Sequence, residues 1–519
     1  MRLFRSNLLF LILFLLISPA VFAQQTSDCL VSVTFLHVND VYQFAPVDGG
    51  TRGGLARLLT LKKQFKEQNP NTIFTMGGDT ISPSVESRTY KGAQMIDAWN
   101  AVGIDYAVFG NHEFDVKTDV LLQRMKESKF QWLGANVFDK KTQKIFADTP
   151  PFVIREFDGV KVGIIGFLLP ETKQTSSMEE NLEVLDFCQT AKNFVPKMRE
   201  AGAKTIVGLT HLSMEQDKQL AKCADFDLIL GGHEHTLLQS SSNGTPIFKM
   251  TADARELGRF NLNINKKTGE VETMDWEIIP VTNKIADAPE FNEAVAKYNT
   301  LLQELAKPVG ETSETLDALS FSNRNKETNI GNFVADSYRK AVGADVALVN
   351  GGSIRADLTY NPGALTKRDV LSILPFNNPI VKVEVSGKLL REILEHGVAR
   401  SAEDNEPGRF PQISGMSFKF DVSRPAGGRV AEILVGGKPV DEKKNYTLAT
   451  SDFLVTRGGD GYTMFQQAKV LTKAEDAPKD SDALEKAITG APNKTIAPKL
   501  ENRIVKIGQA GGKARLSCP

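Results

Sequence analysis

Between Leu30 and about Val281 the chain repeats one pattern, and that pattern restricts the fold more than any other feature. Short runs rich in β-branched and aromatic residues alternate with amphipathic stretches of helical spacing. The runs are Val31–His37, Thr72–Met76, Tyr106–Phe109, Gln131–Asn136, Val160–Phe167, Thr205–Thr210, Phe226–Leu230 and Pro246–Met250. Among the helical stretches are 54–68, 94–101 and 118–127. Such alternation predicts an α/β layered domain, because each strand can bury both faces only if helices return over the sheet. Sites on open α/β sheets lie where the strands end.

Polar residues collect at those ends. The chain has six histidines, and five of them, His37, His112, His211, His233 and His235, stand at or near predicted strand ends. Asp40, Asp79 in Gly77-Gly78-Asp79, and Asn111 in Gly110-Asn111-His112-Glu113-Phe114-Asp115 stand beside them. Carboxylates, an amide and imidazoles on one edge make a donor set for Zn, Mn, Co, Fe or Mg. Two such ions side by side can activate a water and clamp the oxygens of an in-line displacement. His233 and His235 are two apart, so in extended backbone they face the same way. Asp115 follows His112 by three residues, within hydrogen-bonding reach if a helix starts there. An imidazole oriented in that way suits proton donation or transition-state stabilisation.

Residues 283–308 change character and read as one long amphipathic helix ending at Pro308, a connector between a domain at 29–282 and a second at 309–508. The second has its own strands (Ala344–Val349, Ile380–Val385, Met416–Phe420, Tyr446–Thr450) and helices (328–341, 387–398). Among its residues Arg324 and Arg355 suit bidentate binding of an anion. Phe376 and Phe453 offer faces for a base. Asp460, in Gly458-Gly459-Asp460-Gly461, could accept from ribose hydroxyls. Taken singly, each of these residues reads more readily as an ordinary core or turn residue.

Charge and export signals bound the setting. With 62 Lys+Arg against 63 Asp+Glu, the chain lacks the basic excess of a nucleic-acid binder. Arg2 and Arg5 precede an apolar run from Leu8 to Ile17 that is too short to span a bilayer, with Val21 and Ala23 at the small positions of a cleavage site. Residues 1–23 are therefore expected to be a signal peptide, and the protein to be exported, periplasmic or secreted, without a membrane anchor. Of four cysteines, the expected pairs are Cys188–Cys223 and Cys29–Cys518.

The segments Gly110–Asp115, Thr210-His211, Gly231-Gly232-His233-Glu234-His235 and Leu169-Pro170-Glu171-Thr172 fall in an order that resembles the exported 5′-nucleotidase/UDP-sugar hydrolase family. The likeness covers nearly the whole chain after residue 23. It implies a four-layer β-sandwich metallophosphoesterase domain with flanking helices, a linker helix and a smaller α/β substrate domain. It implies two divalent ions, one held by Asp40, Asp79 and His235, the other by Asp79, Asn111, His211 and His233. His112 and Asp115 match the family's catalytic dyad, and His37 a position that is not a ligand. Arg324, Asn350, Arg355, Phe376, Asn378, Phe453 and Asp460 match its nucleotide-binding positions. The implied reaction is phosphate release from nucleoside 5′-monophosphates by in-line attack of a metal-activated water, in a monomer or weak dimer. UDP-sugar, dinucleotide and 2′,3′-cyclic phosphodiester cleavage are its enzymatic rivals, and a non-catalytic nucleotide-binding or adhesion protein is the alternative of another class. The first motif departs from the family: Asp-x-His is here Asp40-Val41-Tyr42. Tyr42 as a phenolate ligand, which would favour Fe(III), a water or Gln43 in its place, or a weakened first ion are the three outcomes open.

Overall fold

The computed structural model describes residues 29–401 and 407–508. The expected signal peptide at 1–23 and Cys518 lie outside them, and so does the expected Cys29–Cys518 pair. Cys188 and Cys223 form a disulfide with their Cα atoms 5.3 Å apart.

Two six-stranded sheets form the centre of the first half. One runs Val271–Pro280, Glu256–Asn265, Leu30–Val38, Thr72–Met76, Tyr106–Val108, Gln131–Leu133, and its last four strands are parallel. The other runs Leu238–Ser242, Thr245–Lys249, Leu228–Gly231, Thr205–His211, Val160–Leu168, Phe152–Phe157, with a parallel centre. Strand periodicity explains the layering. Val31, Val33 and Phe35 point inward to meet Val162, Ile164, Val207 and Leu209 of the facing sheet. Leu36 and Val38 point outward into a second core shared with Leu58, Met95 and Trp99. Helices Leu55–Gln68 and Ala93–Val102 supply those residues, and helices Phe187–Glu200 and Met214–Cys223 cover the facing sheet, so the order is helix, sheet, sheet, helix. The long strands Glu256–Asn265 and Val271–Pro280 close the sheet edge; no run named from sequence covers them.

The connector differs from the expected single helix. It comprises Pro289–Val295, a 3₁₀ turn at Ala296–Tyr298, and Asn299–Leu305. The tightened turn lets Phe291, Val295 and Tyr298 all face the first domain, where Tyr298 packs on Phe44 and Tyr90 and donates to Asp97. Leu305 packs with Val85 of the first half and Leu371 of the second.

In the second half a five-stranded sheet runs Pro411–Ser414, Val346–Asn350, Asn445–Ser451, Ile380–Ser386, Lys469–Val470. Val346 and Leu348 meet the helix Gly387–Val398, while Ala347 and Val349 meet the helix Asn329–Val342, again an α/β arrangement.

Candidate active site

The ends of five parallel strands, and the loops after them, supply the cluster. Asp40 follows Leu30–Val38, Asp79 follows Thr72–Met76, and Asn111 and His112 lie in a 3₁₀ turn, Asn111–Asp115, after Tyr106–Val108. His211 ends its strand, and His233 and His235 follow Leu228–Gly231. Asp40, Asp79, His233 and His235 all have positive φ, at 52°, 59°, 92° and 56°. Left-handed backbone in four such residues is strain of the kind that gathers at functional sites. The glycines around them are sterically required. A Cβ on Gly110 would lie 2.1 Å from Asp79 Oδ1, and one on Gly232 would lie 2.4 Å from the Gly77 carbonyl.

Ligand-type atoms of Asp40, Asp79 and His211 lie within 4.8 Å of one another, all buried. His211 Nε2 stands 3.3 Å from Asp79 Oδ2, while Nδ1 donates to the Gly77 carbonyl at 2.7 Å. That backbone bond fixes the tautomer with Nε2 turned to the cluster, the arrangement typical of a metal-bound histidine. His211 and His233 rings are 5.2 Å apart between centroids. His235 Nε2 is 3.3 Å from Asp40 Oδ1. The two histidines of Gly231–His235 thus face different partners, because positive φ at both breaks the extended backbone that would have aligned them.

The donors fit a cation. Among the described residues Asn111 Oδ1 and His211 Nε2 are buried without a hydrogen-bond partner, a rare state for buried polar atoms, and His211 Nε2 has only the Asp79 carboxylate at ion-pair distance. Burial opposes a charge on His211, yet Asp79 and Asp40 override it and push the imidazole up to about 10. Burial likewise opposes ionisation of Asp79, but His211 and His112 hold its carboxyl down to about 2. Such a field is what a bound cation would meet. Burial, with His211 and Lys249 nearby, keeps His233 neutral and so able to ligate.

His112 Nδ1 lies 2.7 Å from Asp115 Oδ2, inside the 3₁₀ turn, before the helix that starts at Thr118. Ser82 donates to the same Asp115 oxygen at 3.0 Å. With Nδ1 so occupied, Nε2 is the nitrogen left to meet a substrate oxygen. His37 is a structural residue: Nδ1 meets Thr75 Oγ1 at 3.0 Å and Nε2 the Gly231 carbonyl at 3.1 Å. Burial pushes its pKa down to about 4.

Tyr42 enters the cluster. Its hydroxyl lies 3.1 Å from Asp79 Oδ2, 3.3 Å from Asp40 Oδ1 and 2.9 Å from His235 Nε2. Gln43 does not fill that place, since its side-chain oxygen accepts from Arg368 of the second half at 3.2 Å.

The second half leans over this cluster. Arg355 donates to the Tyr42 hydroxyl at 3.0 Å, and its guanidinium lies 5.4 Å from the Tyr42 ring centre. Phe376 stands 5.7 Å from the His112 ring. Asn350 donates to Asp460 Oδ2 at 2.6 Å and accepts from Ser353 at 2.5 Å. Burial raises the Asp460 carboxyl, against the Asn350 bond and the charge of Arg324. Phe453 is half-buried and its ring leaves no room for a Cβ on Gly459, beside Asp460. Asn378 accepts the Asp480 backbone N–H through its own carbonyl.

Two residues near the cluster escaped sequence reasoning. Glu113 is fully buried and accepts four backbone N–H bonds, from Asp79 (2.8 Å), Thr80 (2.7 Å), Ile81 (3.1 Å) and Gly110 (2.6 Å). Burial and the Asp79 charge push its carboxyl up to about 7, but four donors leave no acceptor site for a proton. Its place within Gly110–Asp115 was the signal. Lys249 is the other, a fully buried lysine at the end of the strand Thr245–Lys249.

A helix–sheet–sheet–helix domain with carboxylates, an amide and imidazoles at its parallel strand ends defines a metal-dependent phosphoesterase, a hydrolase. Comparison with known proteins agrees. Residues 33–237 match the calcineurin-like phosphoesterase family, and 308–467 match the 5′-nucleotidase C-terminal domain. The chain is 30% identical to the trifunctional nucleotide phosphoesterase protein of Bacillus subtilis over 92% of its own length, and spans 35% of that longer protein. It is 27% identical to human 5′-nucleotidase, covering 91% of this chain and 90% of that one. The 5′-nucleotidase precursor of Thermus thermophilus superimposes with a TM-score of 0.85 at 26% identity, over 92% of this chain and 99% of the other. The chain belongs to the family that joins a calcineurin-like phosphoesterase domain to a 5′-nucleotidase C-terminal domain, whose members bind two divalent metal ions.

Proposed function

We propose that this chain releases phosphate from nucleoside 5′-monophosphates, with 29–282 as the metal-binding domain and 309–508 as the nucleotide-binding one. The observation that carries the reading is the meeting of two chemistries in one place: the carboxylate–imidazole cluster with its His112–Asp115 pair, and Arg355 and Phe376 reaching it from the other half.

Asp40, Asp79 and His235 would hold one cation, and Asp79, Asn111, His211 and His233 the other. When bound, divalent ions at such a centre acidify water and polarise phosphoryl oxygens. His112, oriented by Asp115, donates to an oxygen of the phosphoryl group as negative charge grows there. Arg324 and Arg355 offer charge to the phosphate. Phe376 and Phe453 are the faces for the base, and Asp460, steadied by Asn350, accepts from the ribose. The bond from Ser353 to Asn350 turns the Asn350 amide nitrogen toward Asp460, and so supports that role.

Export belongs to the same proposal. The disulfide favours an oxidising compartment, and the basic start followed by Leu8–Ile17 suits secretion. No helix among the described residues is long and apolar enough to cross a membrane.

The test is a product screen of the full chain over AMP, UMP, UDP-glucose and 2′,3′-cyclic AMP with Mn or Zn added, reading both the phosphate released and the nucleotides formed. Turnover of AMP or UMP above the others supports the reading. Faster turnover of UDP-glucose or the cyclic nucleotide replaces it with that rival. No turnover, with His112→Ala binding AMP as wild type does, favours a non-catalytic binder.

A further inference from the structure

Lys249 ends the strand Thr245–Lys249 and is 1% exposed. Its ammonium donates to the Leu212 carbonyl at 2.5 Å, the Gly232 carbonyl at 2.8 Å and Glu234 Oε2 at 2.5 Å, and lies 2.9 Å from Asp217 Oδ2. Three of these partners belong to turns that carry a candidate ligand, and the fourth, Asp217, lies in the helix Met214–Cys223 that follows His211. Leu212 follows His211 and Gly232 precedes His233. Asp217 accepts from Thr210, the residue before His211, at 2.7 Å. Glu234 lies between His233 and His235 and also accepts the Met214 backbone N–H. Gly231 makes way for the lysine stem, since a Cβ there would sit 3.1 Å from Lys249 Cε.

A buried charge cluster stabilises a fold poorly, because desolvation offsets most of the attraction; an apolar side chain of similar volume does as well or better. What an ammonium adds is geometry. It holds two backbone carbonyls and two carboxylates at fixed spacing, and those carbonyls belong to turns on neighbouring parallel strands.

We propose that Lys249 is a positioning residue for the metal centre, a cross-brace that sets the separation of His211 and His233 so that both imidazoles reach one cation. The inference rests on the metal-centre reading above. Lys249 touches neither substrate nor ion. It acts through the two turns, and Asp217 and Glu234 serve to fix the ammonium. Metal affinity, rather than fold stability, is therefore the property it governs.

The experiment uses the full chain and Mn(II) alone as probe, with thermal unfolding and equilibrium dialysis as readouts. Lys249→Met alone would strand two buried carboxylates, so the principal variant combines it with Asp217→Asn and Glu234→Gln. Lys249→Arg, which keeps the charge, and Glu234→Gln alone, which keeps the lysine, are two milder variants. The expected result for the triple variant is a metal-free melting temperature near wild type, a Mn(II) concentration for half-saturation at least tenfold higher, and recovery of part of that loss in Lys249→Arg. Variants that melt lower without metal but bind Mn(II) as wild type does would overturn the proposal, since the lysine would then serve the fold alone. If the triple variant does not fold, Glu234→Gln decides by the same comparison: weaker Mn(II) binding supports the brace, unchanged binding overturns it. A wild type that shows no Mn(II)-dependent stabilisation contradicts the metal-centre reading itself, and this inference falls with it.

Discussion

The Tyr42 hydroxyl accepts a hydrogen bond from Arg355 at 3.0 Å, so the loop that carries Asp40 and the loop that carries Arg355 meet at one oxygen. That oxygen also faces Asp40, Asp79 and His235. A side chain at the place of the family's missing histidine therefore joins the two halves of the chain. It also directs a guanidinium toward the cluster.

Removing only that oxygen breaks the link to Arg355 and the contacts to the cluster together. Tyr42→Phe keeps the ring under the guanidinium but loses the bond to Arg355, worth about 1 kcal/mol. Steady-state kinetics on AMP are expected to show KM raised about fivefold, with kcat changed less. Tyr42→His places a borderline nitrogen donor at the same corner. Metal analysis after dialysis is expected to find more metal retained per chain than in wild type.

His112→Ala and Asp115→Asn remove a proton donor and its orienting partner. Each is expected to lower kcat by about 10²–10⁴-fold while leaving dialysis-resistant metal unchanged, as general acid–base roles do. Ser82→Ala, which frees one bond on Asp115, should show a smaller loss of the same kind.

Glu113→Gln puts an amide, itself a donor, among four N–H groups that all need acceptors. Unfolding in denaturant is expected to reveal a loss of about 3 kcal/mol. Metal retention should fall as well, because two of those N–H groups belong to Asp79 and Gly110.

How far the sequence could be read differs between these residues. The parallel strands announced themselves as apolar runs with polar ends, and the fully buried sheets behave as such runs should. The antiparallel strands Glu256–Asn265 and Val271–Pro280 did not, because their exposed faces mix Asn, Arg, Glu and Thr. Asp79 and His211 could be chosen by residue type. Glu113 could not, because its role lies in backbone N–H groups brought to it by two separate loops. The connector helix was visible from its period, whereas its break was not: the 3₁₀ turn answers to where Phe44, Tyr90 and Asp97 lie in the first domain. Tyr42 was visible as a departure, but its meeting with Arg355 depends on how the two halves pack.

His37 gives the pH dependence. Its pKa is pushed from the ordinary 6.5 to about 4 by burial, so the unfolded chain binds the extra proton between those values. Its contribution, about 3 kcal/mol at most, is fully present above pH 6.5 and is lost as pH falls toward 4. Melting temperatures across that interval are expected to fall more steeply for wild type than for His37→Gln. Parallel slopes would show that other groups dominate.

The central claim is that Asp79 lies between two cations. The most direct measurement is anomalous diffraction at the Mn edge from crystals of the full chain grown with Mn(II). The account predicts two peaks flanking the Asp79 carboxylate, one on the His235 side and one between Asn111, His211 and His233. A single peak away from Asp79, or none at a Mn(II) concentration that supports turnover, would contradict it.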